Sequence, residues 1–301
     1  MADSTFIEAE YTSDLVPGPM AYAVLLPDGY QEEEERLPLL YFLHGGGGDS
    51  KTFLGGTKPL FERAWNDGRL PRLVVVTPSA GRSFYMDYRD GSQKWESLLV
   101  GPFLAHIREN YRVRQERDGL FVAGISMGGM GALRMGLKYP DIFAGLAALE
   151  PGIEPALAFR DIEFEDRFWR SEGIFRAIYG RPVDEEYWAQ NNPANIVVKD
   201  IERILSLKMG IYLECGDEDA FGLDRGTEFL HRILRDRGIP HEYHLVRGAN
   251  HVGRSLGPRI QEALEFLGTL SSPPPPDPDV ENLEKMIVQW KEQARKILKA
   301  S

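Results

Sequence analysis

AGISMGGMG, residues 123–131, sets one serine, Ser126, among four glycines. An apolar run over 119–124 precedes it, and a helix-patterned segment over 131–138 follows it. Two readings compete. Either Ser126 is a nucleophile raised on a tight strand-to-helix turn, or it is a small residue where a helix lies close against a sheet. Gly124-Ile-Ser-Met-Gly128 fits G-x-S-x-G, a pattern that has meaning only between a strand and a helix. Both flanks are right here. So sharp a turn strains the serine backbone, and flanking glycines remove the Cβ atoms that would strike the strand or the helix. That context favours the nucleophile.

Working outward, short apolar runs recur at 20–26, 37–43, 73–77, 120–123, 145–149, 209–214 and 242–246. Helical periodicity fills 98–111, 128–138, 225–237 and 259–270. Continuously apolar strands alternating with helices predict an α/β fold whose central sheet is mostly parallel and covered on both faces. The first strands have no helix between them, so that edge is expected to be antiparallel. The catalytic domain is expected over 1–270. Within it, 151–200 has no convincing strand but eight aromatics, Phe159, Phe164, Phe168, Trp169, Phe175, Tyr179, Tyr187 and Trp188. It reads either as a cap-like insertion lining an apolar pocket or as extra helical core.

The prolines of 271–278 predict an extended linker, because proline lacks the donor that a helix needs. Beyond it, 279–301 repeats apolar residues at helical spacing: Val280, Leu283, Met286, Ile287, Trp290, Ala294, Ile297 and Leu298. Five acidic and five basic residues balance across 277–299. A membrane-surface helix is usually more basic, so the stripe predicts protein contact, with a homo-oligomer as one outcome.

The 301 residues suffice for one large α/β domain, and the formal net charge of −11 argues against nucleic acid and against a highly anionic substrate. No apolar run is long enough to span a membrane, and the first residues lack a signal-peptide pattern. The lone Cys215 has no internal partner for a disulfide. A cytoplasmic protein is the expectation.

A serine hydroxyl needs a base. His44 is tied to a glycine loop, His106 and His231 lie in helical patterns, and His241 and His244 flank or enter a strand. His251 follows a strand and precedes the last domain helix, which places it at the carboxyl edge of the sheet with Ser126. The base needs an acid, and 215–220 offers Asp217, Glu218 and Asp219 at the same edge; spacing leaves all three open. The oxyanion hole needs two backbone N–H groups. One is that of Met127, and the other belongs to the glycine loop over 44–48. That loop nearly spells a phosphate-binding motif over 45–52, but Ser50 stands where the second glycine is required. His241-Glu-Tyr-His244 is too short for the zinc motif H-E-x-x-H, so neither a metal nor a cofactor is expected.

His44-Gly-Gly46, Gly124-Ile-Ser-Met-Gly-Gly129, Tyr139-Pro-Asp-Ile-Phe-Ala144, Cys215-Gly-Asp-Glu-Asp219 and Gly248-Ala-Asn-His251 together resemble the esterase D family of serine esterases. That family includes S-formylglutathione hydrolases, feruloyl esterases and antigen 85 mycolyltransferases. The resemblance runs over about residues 15–270. It implies an α/β-hydrolase fold, Asp219 as the acid, and Gly46 beside Met127 in the oxyanion hole. It also implies Tyr85, Trp95 and Gly45 against the substrate. The function implied is hydrolysis of small neutral carboxylic esters through an acyl-enzyme. An acyltransferase with the same triad, or a non-catalytic binding protein of this fold, stands as the alternative.

Overall fold

The computed structural model describes residues 4–32 and 34–300. Eight strands form one sheet: β1 (Thr5–Tyr11), β2 (Met20–Leu26), β3 (Leu39–Leu43), β4 (Val74–Pro78), β5 (Leu120–Ile125), β6 (Gly145–Leu149), β7 (Gly210–Gly216) and β8 (Glu242–Val246). Their order is β1-β2-β4-β3-β5-β6-β7-β8. The β1–β2 and β2–β4 pairs are antiparallel, and the pairs from β4 onward are parallel. The central strands β3, β5 and β6 are buried along their whole length, which is why they read as unbroken apolar runs.

Neighbouring residues of each strand feed opposite cores. Leu40, Phe42, Phe121 and Ala123 pack against Leu54 and Phe61 of α1 (Ser50–Asn66) and Leu264 and Leu267 of α10 (Leu256–Ser271). Tyr41, Leu43, Leu120 and Val122 face the other side. There they meet a core that includes Phe103 of α3 (Pro102–Asn110), Leu133 of α4 (Met127–Lys138) and Leu230 of α9 (Leu223–Asp236). The period of two along each strand thus becomes two separate layers of packing.

Three elements differ from the sequence pattern. The edge strand β1 is only half-buried and carries too little apolar signal to stand out. Helix α1 contains Gly55, Gly56 and Pro59, which mask its periodicity, yet Asp49 caps it by accepting from the Thr52 N–H at 2.8 Å. The single helix expected over 98–111 is two, α2 (Trp95–Val100) and α3, because Pro102 cannot continue the ladder.

The 151–200 segment holds three short α-helices, α5 (Glu172–Tyr179), α6 (Glu185–Asn191) and α7 (Pro193–Lys199), and α8 (Ile201–Ser206) follows directly. Its aromatics divide between the two readings. Phe175, Tyr179 and Trp188 are fully buried, Trp169 borders a cavity, and Phe164 is 69% exposed. The chain forms two compact units, one through Ser271 and one from Ser272. The second contains α11 (Pro278–Ala300), whose first turn is fastened by Asp277 accepting from the Asp279 N–H at 2.9 Å.

Candidate active site

Ser126 stands between β5 and α4 with φ 58° and ψ −116°, a left-handed conformation that non-glycine residues avoid. Its N–H donates to Leu149 O at 2.9 Å, and its carbonyl accepts from Met130 and Gly152. Two glycines make the turn possible. A Cβ on Gly128 would lie 2.1 Å from Leu43 O, and one on Gly124 would lie 2.3 Å from Gly128 O. Gly129 is as tightly placed, with a Cβ position 2.7 Å from Leu149 O, so close helix packing explains part of the motif as well.

Met127 opens α4, so its N–H is among those that a helix leaves without an internal acceptor. The position of a Cβ on Gly46 falls 4.0 Å from Met127 Cβ, which sets the two backbone segments side by side. His44 holds this loop from beneath. It is fully buried; Ala80 N–H donates to its Nε2 at 3.1 Å, and its Nδ1 donates to Gly45 O at 2.8 Å. Burial lowers its pKa, so it stays neutral and structural.

His251 follows β8. Its Nδ1 lies 2.7 Å from Asp219 Oδ2, in the loop after β7. Asp219 Oδ1 accepts from the N–H groups of Phe221 and Leu223, which fixes the carboxylate. Burial raises the Asp219 pKa, but His251 and these amides outweigh it and hold the group below its ordinary value. Asp217 instead accepts from the Gly248 N–H at 2.6 Å at an exposed turn, and Glu218 is exposed. Burial also works against the imidazolium of His251, yet the carboxylates of Asp219 and Glu150 push it up to about 9.

Glu150 went unnoticed in the sequence. It directly follows β6, is fully buried, and brings Oε2 to 2.9 Å from His251 Nδ1. The available signal was the one that selected the loop of Asp219, a carboxylate directly after a strand at the carboxyl edge. Arg259 of α10 binds Glu150 Oε1, Glu214 Oε1 (2.7 Å) and Asn250 O (2.8 Å). Burial raises Glu214 to about 7 against the pull of Arg259.

Ser126, Met127, Gly46 and His251 open onto one cavity of about 390 Å³. Phe84, Trp169, Ile174, Phe221, Leu223 and Val252 supply its apolar wall, and Arg82 a cation. Tyr85, Trp95 and Gly45 are not in that wall. The Tyr85 ring is fully buried and its hydroxyl donates to His44 O at 3.0 Å, so it braces the glycine loop from behind. Trp95 turns its indole N–H to Gln93 at 2.7 Å. Gly45 lies beneath the turn, its Cβ position 3.6 Å from Ser126 Cβ. The aromatic residues at the cavity are instead Phe84, Trp169 and Phe221, and the rings of Phe84 and Trp169 are 6.1 Å apart.

Residues 13–257 match the family model described as "Putative esterase". An esterase of Mycobacterium tuberculosis is 32% identical over 256 residues, 77% of this chain and 52% of its own length. This chain thus spans about half of that relative. An acetyl esterase of Caldicellulosiruptor saccharolyticus is 27% identical, over 79% of this chain and 86% of its own. Among solved structures, a ferulic acid esterase superposes with a TM-score of 0.74 at 25% identity, covering 90% of this chain and all of that one. The chain belongs to this esterase family, and its fold is that of the α/β-hydrolases.

Proposed function

We propose that the protein is a serine carboxylesterase. Ser126 attacks the ester carbonyl, and His251 takes the hydroxyl proton and returns it to the leaving alcohol. Asp219 positions His251, and the N–H groups of Met127 and Gly46 bind the oxyanion. Water then releases the acid from the acyl-enzyme. The observation that carries this reading is that a strained Ser126 and a carboxylate-held His251 open onto the same cavity.

The apolar wall favours a small neutral ester with an alkyl or aryl group; methyl ferulate, p-nitrophenyl butyrate and S-formylglutathione span the choices. Ser126→Ala is expected to lower kcat by ~10⁴-fold or more. Turnover surviving within tenfold, with no fluorophosphonate label on Ser126 in the unsubstituted protein, rejects the reading. Product analysis with added alcohols separates hydrolysis from acyl transfer.

The exposed apolar residues of α11, among them Leu283, Met286 and Trp290, support a self-association arm. Light scattering of the chain with and without 279–301 tests it; the same number of subunits in both rejects it. The single buried Cys215 supports a cytoplasmic setting. Among the described residues, no helix is long and apolar enough to cross a membrane.

A further inference from the structure

His251 is approached at Nδ1 by two carboxylates from two different strand ends. Asp219 Oδ2 is at 2.7 Å and Glu150 Oε2 at 2.9 Å, both side chains fully buried. An imidazole has one proton on Nδ1 to give. Asp219 receives it, and Glu150 Oε2 is left buried with no hydrogen bond. A buried carboxylate oxygen without a partner is costly, so its place against the ring asks for a reason.

The backbone is shaped to put it there. Glu150 has φ 46°, which a residue with a side chain rarely adopts, and its N–H donates to Glu214 O at 2.7 Å. Its other oxygen, Oε1, is bound by Arg259 Nη1, while Arg259 Nη2 donates to Asn250 O, next to His251. One guanidinium therefore fixes both Glu150 and the loop that carries the histidine.

We propose that Glu150 is a second positioning residue for His251, set against the same Nδ1–H that Asp219 accepts and able to replace Asp219 there. The proposal rests on the esterase reading for its role in turnover, though not for its effect on the imidazole. When Ser126 gives its Oγ proton to Nε2, the ring carries a full positive charge with protons on both nitrogens. Asp219 and Glu150 then lie at contact distance from that charge. With Asp219 removed, a small turn of the ring hands Nδ1–H to Glu150, and the tautomer with Nε2 free is kept.

Glu150 after β6 and Asp219 after β7 face His251 directly; behind them lie Glu214 and Cys215 of β7 and Arg259 and Glu262 of α10, and Arg82 lines the cavity onto which His251 opens. The ring of Phe221 meets His251 edge-on at 4.7 Å and bears no charge.

The test follows the full chain carrying Glu150→Gln, Asp219→Asn and both together. Histidine ring resonances, assigned with His251→Gln, give the titration of His251 in a Ser126→Ala background, where no turnover is needed. Hydrolysis of p-nitrophenyl butyrate gives kcat/KM against pH. Glu150→Gln should lower the His251 pKa by about one unit, because a contact carboxylate typically shifts a neighbour by that much. It should also move the acid limb of kcat/KM down by the same amount. Asp219→Asn alone should lose ~10²-fold or less, and the double variant ~10⁴-fold, the loss expected where a lone acid is removed.

The proposal is overturned if Glu150→Gln leaves the His251 titration unmoved. It is also overturned if Asp219→Asn alone already loses ~10⁴-fold. Glu150→Asp covers the case in which Glu150→Gln does not fold: it keeps the charge with a shorter reach, and a His251 titration equal to that of the unsubstituted chain would show that contact with Nδ1 is not needed. If the titration moves as expected while the unsubstituted chain neither hydrolyses esters nor labels at Ser126, the esterase reading fails and the link between Glu150 and His251 stands.

Discussion

The molecule buries two clusters of the same residue types, and they are built to opposite ends. In the first, Glu96 accepts from Lys138 at 2.5 Å and from Arg134, with Asn191 and Tyr139 closing the network. Among the described residues, each of its buried side-chain polar atoms has a partner. In the second, Glu150, Glu214 and Asp219 gather around Arg259 and His251, and Glu150 Oε2, Glu214 Oε2 and Arg259 Nε lack hydrogen bonds. One carboxylate faces two cations in the first, which holds Glu96 below its ordinary value in spite of burial. In the second, Arg259 faces Glu150 and Glu214 while His251 faces Asp219 and Glu150; the two carboxylates at the ring push His251 up to about 9, and burial raises Glu214 to about 7.

Cavity size does not identify the reactive cluster. The first borders a cavity of about 710 Å³, larger than the 390 Å³ cavity at Ser126, and it has no nucleophile beside a base. A cluster with surplus cations is a fastening; one with surplus carboxylates is a store of protons.

That contrast can be broken by substitution. The largest expected effect is on stability at the fastening. Glu96→Gln keeps an acceptor but leaves the charge of the fully buried Arg134 without its carboxylate, and should cost about 3 kcal/mol in urea unfolding, with kcat unchanged. Glu214→Gln keeps an acceptor for Arg259 and removes a surplus charge. Above pH 7 it should change stability by less than about 1 kcal/mol, in either direction. Equal costs for the two would erase the distinction.

A smaller effect is the pH dependence. His251 titrates at about 9 in the folded chain against an ordinary 6.5, so folding favours its protonated form. Its contribution to stability is complete below pH 6.5 and lost as pH rises through 9. In the proposed mechanism only the neutral ring can accept the serine proton, so kcat/KM should rise through the same window. Thermal melts and rates recorded over that range should therefore slope in opposite directions. Parallel slopes would remove His251 from one of the two roles. Smallest of all, Trp95→Phe should leave KM within about twofold, since it does not line the cavity at Ser126, whereas Trp169→Ala should raise it by roughly tenfold through lost apolar contact. The reverse order would restore Trp95 to the cavity.

The strand-to-helix turn at Ser126 was legible because its geometry is local. Ser126, its flanking glycines and Met127 lie within five residues, and the steric need for glycine is written at the positions that have it. The parallel sheet was legible for a similar reason, since strands buried on both faces leave unbroken apolar runs. His251 and the 215–220 loop could be placed by topology, through the shared edge of the sheet. What stayed hidden depends on packing between distant segments. Tyr85 and Phe84 are adjacent in sequence and both have left-handed φ, yet one ring supports the glycine loop and the other borders the cavity. Glu150 acquires its meaning only when Arg259, more than a hundred residues later, turns it toward His251.

The contact of Gly128 with the end of β3 has a consequence for motion. Any side chain there would meet Leu43 O and His44 O, so the first turn of α4 and the glycine loop are pressed together backbone to backbone. The amides proposed for the oxyanion hole, those of Gly46 and Met127, therefore belong to two segments that cannot part without breaking that contact. In hydrogen exchange, 43–46 and 126–128 should open as one cooperative unit, at a free energy near that of global unfolding rather than that of a surface loop.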